Sequence, residues 1–221
     1  MTQIWKYDYA SRCDCSDDDN CGCTSPGNMG RSYVAENFMA ETGTQVGVGS
    51  QALNFSAPAV LADNSISESF NFFDYISDSY ALLVFYLADF SAICPQEITA
   101  FNQAYAQISG RGVKLVAVSV DSVAAHQAWR KLSIAEGGIG QVQFPLISDI
   151  NKKICSGYGV LRGDGMAQRA TFLIDKNFTV RYQAVYDKEI ERNIEETLRV
   201  MDKLIAFDKA KCHGLECFVT S

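Results

Sequence analysis

The chain has 221 residues, of which 48% are hydrophobic and 20% are charged, and its formal net charge is −7. These proportions fit a globular protein with one well-packed domain and additional terminal segments. The acidic balance argues against general nucleic-acid binding, which needs a basic surface, and against binding to an anionic membrane. No apolar run is long enough to span a bilayer, and residues 1–12 lack the pattern of a secretory signal or a transit peptide. We therefore expect a cytoplasmic protein.

Eight cysteines are many for that compartment, where thiols are more often free, catalytic or metal-bound than paired in disulfides. Half of them lie in two Cys-x-Cys pairs near the N-terminus: Cys13, Cys15, Cys21 and Cys23. Four thiolates in such a short span suit zinc or another soft metal. The other interpretation is a redox-labile tail without metal. The acidic, turn-forming composition predicts that residues 1–48 form a Cys-rich N-terminal extension outside the core.

Hydrophobic periodicity predicts alternating strands and helices along the rest of the chain. In order, it indicates a strand over 81–86, a helix from 94 to about 110, a strand over 113–120, a helix over 123–135 capped by Asp121 or Ser122, a strand over 144–147, a short helix over 151–158, strands over 170–174 and 178–185, and a long helix over 188–207. This order predicts an α/β domain over 49–207 whose sheet is mostly parallel, is covered on both faces and has an antiparallel edge. Residues 208–221 then form a tail.

Cys94 follows a predicted buried strand and precedes a predicted helix, with Pro95 beside it. A helix N-terminus favours a negative charge, so this position favours the reactive thiolate. Ser91, three residues earlier, can direct its hydroxyl toward the sulfur or toward an oxygen bound there. The same position also suits a small buried hydrophobic residue, and the local sequence does not decide between the two.

The segment over 85–97 resembles the peroxidatic-cysteine segment of the peroxiredoxins, in the alkyl hydroperoxide reductase/thiol-specific antioxidant branch. Further blocks resemble the family in the same order, from about residue 53 to the C-terminus: 118–122 with His126 and Trp129, the glycine loop 137–140, 158–160 and 169–175. Two positions depart from the family pattern. Leu87 stands where the family has proline, and Ser91 stands where it has threonine but keeps the hydroxyl.

The resemblance implies a thioredoxin-like fold with a central mixed sheet flanked by helices. It implies a thiol-dependent peroxidase of antioxidant defence that reduces hydrogen peroxide and organic hydroperoxides without a cofactor. Cys94 would attack the peroxide and become a sulfenic acid. Arg169 matches the arginine that holds the thiolate and polarises the peroxide, and Glu97 matches the residue that orients the active-site arginines.

A sulfenic acid needs a second thiol to resolve it. The segment over 213–217 resembles the one around the family's C-terminal resolving cysteine, so Cys217 is the first choice and Cys212 the second. The resemblance implies a disulfide from Cys94 to the resolving cysteine of a partner subunit, hence a homodimer, with a decameric ring of dimers as a further implication. Thioredoxin or a dedicated disulfide reductase would reduce this disulfide and so recycle the enzyme. Cys155, in a short helix, is expected to be a buried structural thiol.

Two other classes of function compete with this interpretation. A general thiol–disulfide oxidoreductase usually needs Cys-x-x-Cys at the helix start, and the sequence Cys94-Pro95-Gln96-Glu97 does not supply it. A thiol-redox chaperone or signalling module with weak peroxidase activity remains an alternative. His126 is expected to be structural rather than a catalytic base.

Overall fold

The computed structural model describes residues 46–187 and 190–212, apart from the side chains of the last two of these residues. Its described residues up to Ala206 lie in one compact unit. The remaining described residues, Phe207–Cys212, belong to a second unit whose other residues lie outside the described ranges. None of the described helices is long and apolar enough to cross a membrane.

The compact unit is built from strands and helices that alternate along most of the chain. The strands are β1 (Ser56–Val60), β2 (Ile66–Asn71), β3 (Tyr80–Phe85), β4 (Val113–Ser119), β5 (Leu146–Ser148), β6 (Arg169–Ile174) and β7 (Val180–Tyr186). The helices are α1 (Phe72–Ile76), α2 (Cys94–Gln103), α3 (Tyr105–Gly110), α4 (Val123–Lys131), α5 (Lys153–Gly157) and α6 (Ile194–Cys212), and a 3₁₀ turn covers Ile134–Glu136.

The seven strands form one mixed sheet in the order β2-β1-β5-β4-β3-β6-β7. Strand β4 is parallel to β3 and to β5, and the other four pairings are antiparallel. The prediction of a mixed sheet with helices around it is confirmed, as is the antiparallel β6–β7 edge. The expectation of a mostly parallel sheet was wrong, because the hairpin β1–β2, which the periodicity missed, adds a second antiparallel edge.

Helices cover both faces of the sheet, which is why β3 and β6 are buried along their whole length. Alternate side chains of β3 project to opposite faces of the sheet. Leu83 and Phe85 pack in the core on the side of α1 and α5. Leu82 and Val84 pack in the core that α2, α3, α4 and α6 complete, and Cys94 belongs to this second core.

Two predicted helices are interrupted. The helix expected from 94 to 110 is divided at Ala104 into α2 and α3. The helix expected over 123–135 ends at Lys131, because Leu132 is extended, and the chain resumes as the 3₁₀ turn. Of the two candidate caps for this helix, Ser122 is the one used: its Oγ accepts from the Ala125 N–H at 3.2 Å.

The last helix begins later than predicted. Asn193 caps α6 by accepting from the Glu196 N–H through its Oδ1, at 2.9 Å. The helix therefore starts at Ile194 instead of residue 188. This leaves Arg192 in the connection before the helix, where its side chain is buried.

The glycine loop contains a close backbone approach at Gly138. A Cβ placed on this residue would lie 2.2 Å from the Leu132 carbonyl oxygen, whereas a Cβ on Gly110 would meet nothing within 4 Å. We expect Gly138→Ala to lower the free energy of unfolding by about 2–4 kcal/mol, because the obstacle is main chain that cannot rotate away. Gly110→Ala, the matched control, should leave it unchanged or raise it by up to about 1 kcal/mol. Urea unfolding followed by circular dichroism measures both, and equal midpoints for the two variants would contradict this expectation.

Candidate active site

Cys94 is the first residue of α2 and is only 1% exposed. Its backbone N–H donates to Ser91 Oγ at 3.3 Å, so the serine hydroxyl lies at the start of the same helix and keeps its own proton for another acceptor. Pro95, the second residue of the helix, needs no hydrogen-bond partner for its nitrogen. The thiol thus occupies the positive end of a ten-residue helix, as the sequence predicted.

Glu97 lies in the first turn of α2, together with Cys94, and is also buried. Its carboxylate accepts from Arg169 twice, from Nε at 3.1 Å and from Nη2. The backbone N–H of Arg192 donates to Glu97 Oε1 at 3.2 Å, and Arg192 Nε lies 3.4 Å from the same oxygen. One carboxylate therefore holds two guanidinium groups at the end of the helix that carries the thiol.

Arg169 opens strand β6 and is 2% exposed. The fork of the guanidinium binds both oxygens of Glu97, a geometry that lysine cannot reproduce. Its Nη1 also donates to the carbonyl of Asp187, just beyond the end of β7, at 3.3 Å. Ser91, Cys94, Glu97 and Arg169, which the sequence analysis selected, are thus connected through α2 and the start of β6.

Arg192 is the site residue that the sequence analysis missed. Its Nη2 donates to the Phe85 carbonyl at the end of β3, and its Nη1 donates to the Ala170 carbonyl at 3.3 Å. Burial lowers the pKa of the Arg192 guanidinium, and the neighbouring Glu97 and Cys94 oppose this shift. The signal that could have found it was Asn193, a good helix cap, which would have placed Arg192 before the helix rather than on its surface.

A second polar network supports the loop between β3 and Cys94. Asp89 accepts from the Tyr86 hydroxyl at 2.8 Å and pairs with His126 Nδ1 at 2.8 Å, and all three side chains are buried. The Asp89 backbone N–H donates to Asp121 Oδ2 at 2.8 Å, which ties the loop to the end of β4. Burial raises the pKa of the Asp89 carboxyl. His126 is buried in this network, and its Nε2 has no hydrogen-bond partner among the described residues, so its structural role stays a prediction.

Cys155 is a buried thiol, as predicted, and belongs to the hydrophobic core on the opposite face of the sheet from Cys94. Its backbone N–H, in the first turn of α5, donates to Asp149 Oδ2 at 2.7 Å. Burial raises the pKa of the Cys155 thiol far above its ordinary value, with Asp149 adding to the shift. Such a thiol is a poor nucleophile at neutral pH.

The remaining cysteines cannot be placed in the same way. The predicted resolving residue Cys217 and the N-terminal group Cys13, Cys15, Cys21 and Cys23 lie outside the described residues, as does the side chain of Cys212. Zinc binding by the N-terminal group therefore stays a prediction. Within the described ranges, no group of three or more His, Cys, Asp or Glu side chains could hold a metal ion.

Comparison with known proteins identifies the family of this chain. Residues 48–183 match the AhpC/TSA family. The chain is 40% identical over 166 residues to alkyl hydroperoxide reductase C of Helicobacter pylori, which covers 75% of this chain and 82% of that protein. It is 38% identical over 157 residues to the chloroplastic 2-cysteine peroxiredoxin of Chattonella marina var. antiqua, covering 71% and 80%.

Solved structures agree with the sequence matches. The reduced 2-Cys peroxiredoxin of Plasmodium vivax superimposes with a TM-score of 0.71 at 41% identity, covering 73% of this chain and 83% of that one. Mycobacterium tuberculosis AhpC superimposes with a TM-score of 0.65 at 27% identity, covering 73% and 99%. The family match over residues 48–183 includes the strands and helices that hold Cys94, Glu97 and Arg169. The chain therefore belongs to the AhpC/TSA family, with the thioredoxin-like fold of the peroxiredoxins, and is a thiol-dependent peroxidase.

Proposed function

We propose that Cys94 is the peroxidatic cysteine of this enzyme and that Ser91, Glu97, Arg169 and Arg192 form its site. The observation that carries the proposal is that Glu97, one turn from Cys94, holds both buried guanidinium groups at the thiol's end of α2. Positive charge at a helix N-terminus favours a thiolate and an oxygen anion. The substrates are hydroperoxides, in line with the names of the related alkyl hydroperoxide reductases.

In the first step, the Cys94 thiolate attacks the terminal oxygen of the hydroperoxide. A sulfur–oxygen bond forms and the oxygen–oxygen bond breaks, so that the sulfur is oxidised to a sulfenic acid and the peroxide is reduced. The leaving alkoxide takes a proton and departs as an alcohol, or as water when the substrate is hydrogen peroxide. Negative charge develops on the leaving oxygen, which is where the donors of Arg169 and the hydroxyl of Ser91 act.

In the proposed reaction, Arg169 and Arg192 have different roles. The Glu97 carboxylate fixes two donors of Arg169, which sets the plane of its guanidinium. Arg192 binds the carbonyls at the adjoining ends of β3 and β6, which ties the sheet to the start of α6. We assign to Arg169 the role of facing the reacting atoms, and to Arg192 the roles of positioning Glu97 and adding positive charge near the sulfur.

In the second step, the resolving thiolate attacks the sulfenic sulfur, a disulfide forms and the oxygen leaves as water. We assign this role to Cys217 of a second copy of the chain, which makes the enzyme a homodimer. The related proteins named 2-Cys peroxiredoxins support a two-cysteine cycle. A dithiol reductant such as thioredoxin then returns both cysteines to thiols, and the cytoplasm remains the expected location.

The first prediction about the active site concerns the nucleophile. Cys94→Ser should abolish reductant-dependent consumption of hydrogen peroxide, because a hydroxyl group is neither ionised nor nucleophilic at neutral pH. Cys155→Ala is the matched control, since this other described cysteine is buried and has a raised pKa. It should keep most of the activity in a coupled assay that follows oxidation of NADPH through thioredoxin reductase and thioredoxin. Full activity in Cys94→Ser would refute the assignment.

The second prediction concerns Glu97. Glu97→Gln keeps the shape of the side chain but loses the charge that holds the two guanidiniums, so we expect kcat/KM for hydrogen peroxide to fall about 100-fold. Glu196→Gln, which removes an exposed ion pair with Arg199 on α6, should leave kcat/KM at the wild-type value. Both are measured at a temperature at which circular dichroism shows the variants folded. A Glu97→Gln enzyme with wild-type kcat/KM would show that the carboxylate is not needed.

The third prediction separates the two candidate resolving cysteines. After treatment with one equivalent of hydrogen peroxide, wild type and Cys212→Ser should migrate as a covalent dimer on a non-reducing gel. Cys217→Ser should migrate as a monomer, because no partner thiol meets the Cys94 sulfenic acid. The reverse pattern would assign the resolving role to Cys212.

A further inference from the structure

The face of strand β7 beside Arg169 carries two tyrosines. In the antiparallel β6–β7 ladder, Tyr186 lies directly opposite Arg169, and Tyr182 lies opposite Leu173. Residues that face each other across such a ladder project to the same side of the sheet, with Cβ atoms about 4.5–5.5 Å apart. Since Arg169 points toward Glu97 on α2, Tyr186 projects to the active-site side as the direct neighbour of the arginine.

A small residue, Ala184, lies between the two tyrosines on the same face of β7. Ala184 alternates with Tyr182 and Tyr186 on this side, opposite Thr171. Burial raises the pKa of the Tyr182 phenol, and the neighbouring Tyr186 adds to this shift. Tyr182 also packs against the hydrophobic core that contains Cys94.

The second arginine reaches the same part of the sheet. Arg192 Nη1 binds the Ala170 carbonyl, one residue along β6 from the position opposite Tyr186. Tyr186 and Tyr182 are both half-buried, so each ring keeps an accessible part. An aromatic ring with a polar edge is therefore the cross-strand neighbour of Arg169.

We propose that Tyr186 is a specificity-determining residue that binds the organic group of aryl and bulky alkyl hydroperoxides. The inference rests on the proposed function of Cys94. The thiolate attacks the terminal oxygen, so the second oxygen and its organic group lie on the side away from the sulfur. With Arg169 donating to the peroxide, that organic group extends past the guanidinium toward its cross-strand neighbour. Hydrogen peroxide has no such group and gains nothing from the ring.

The experiment compares two substrates in matched variants. Tyr186→Thr removes the ring but keeps a residue that favours strands, and Tyr186→Phe keeps the ring but removes the hydroxyl. Val185→Thr is the control, because Val185 is exposed on the opposite face of the same strand. For each enzyme, kcat/KM is measured with cumene hydroperoxide and with hydrogen peroxide, and the ratio of the two values is compared.

The ratio should fall about fivefold in Tyr186→Thr, the loss expected when about 40 Å² of apolar contact is removed. It should stay at the wild-type value in Tyr186→Phe and Val185→Thr. An unchanged ratio in Tyr186→Thr would overturn the proposal, even if both kcat/KM values fell together.

The wild-type enzyme supplies a second measurement that needs no variant. Its kcat/KM should be higher for cumene hydroperoxide than for tert-butyl hydroperoxide, because the phenyl ring adds apolar area. A lower value for cumene hydroperoxide would overturn the proposal. The Cys94→Ser enzyme, assayed beside the others, separates the two ideas: its activity tests the peroxidatic cysteine, whereas the ratio tests Tyr186.

Discussion

The structure of the site depends on one ionic interaction, the Glu97 carboxylate shared by Arg169 and Arg192. All three groups are buried, so each would carry a desolvation cost of several kcal/mol without the others. The interaction connects three parts of the chain: the first turn of α2, the start of β6 and the connection before α6. Because Cys94 occupies that first turn, the placement of the thiol relative to the guanidiniums follows from the same interaction.

Only the position of the thiol could be predicted from the local sequence. Ser91 and Cys94 lie three residues apart at a strand–helix junction that the hydrophobic pattern indicates, but their role there stayed open. Glu97 and Arg169 required the family resemblance, because an acid in a first helical turn or an arginine at the start of a strand carries no specific signal of its own. Arg192 was missed because the apolar periodicity of α6 was extended backward to residue 188. The Asn193 cap instead makes the helix begin at Ile194.

Some strands of the fold could likewise be predicted from the sequence, and others could not. Strands β3, β4 and β6 are mostly apolar and buried along nearly their whole length, and they were predicted within one or two residues. The hairpin β1–β2 was missed because Pro58 interrupts the first strand and the second is polar and exposed along most of its length. The contact between Asp89 and His126 joins residues 37 positions apart, and nothing in either neighbourhood indicates the other.

The burial of Cys94 separates two properties that usually occur together in cysteines. A reactive thiol is ordinarily also an accessible one, and in the cell it is then open to alkylation, glutathionylation and exchange with the disulfides of other proteins. Here the thiol is 1% exposed, and its environment is made of charged donors rather than hydrocarbon alone. A sulfur as buried as this is out of reach of the bulky thiols and disulfides of other proteins in this conformation. As the proposed nucleophile, Cys94 is thereby protected from competing thiol chemistry.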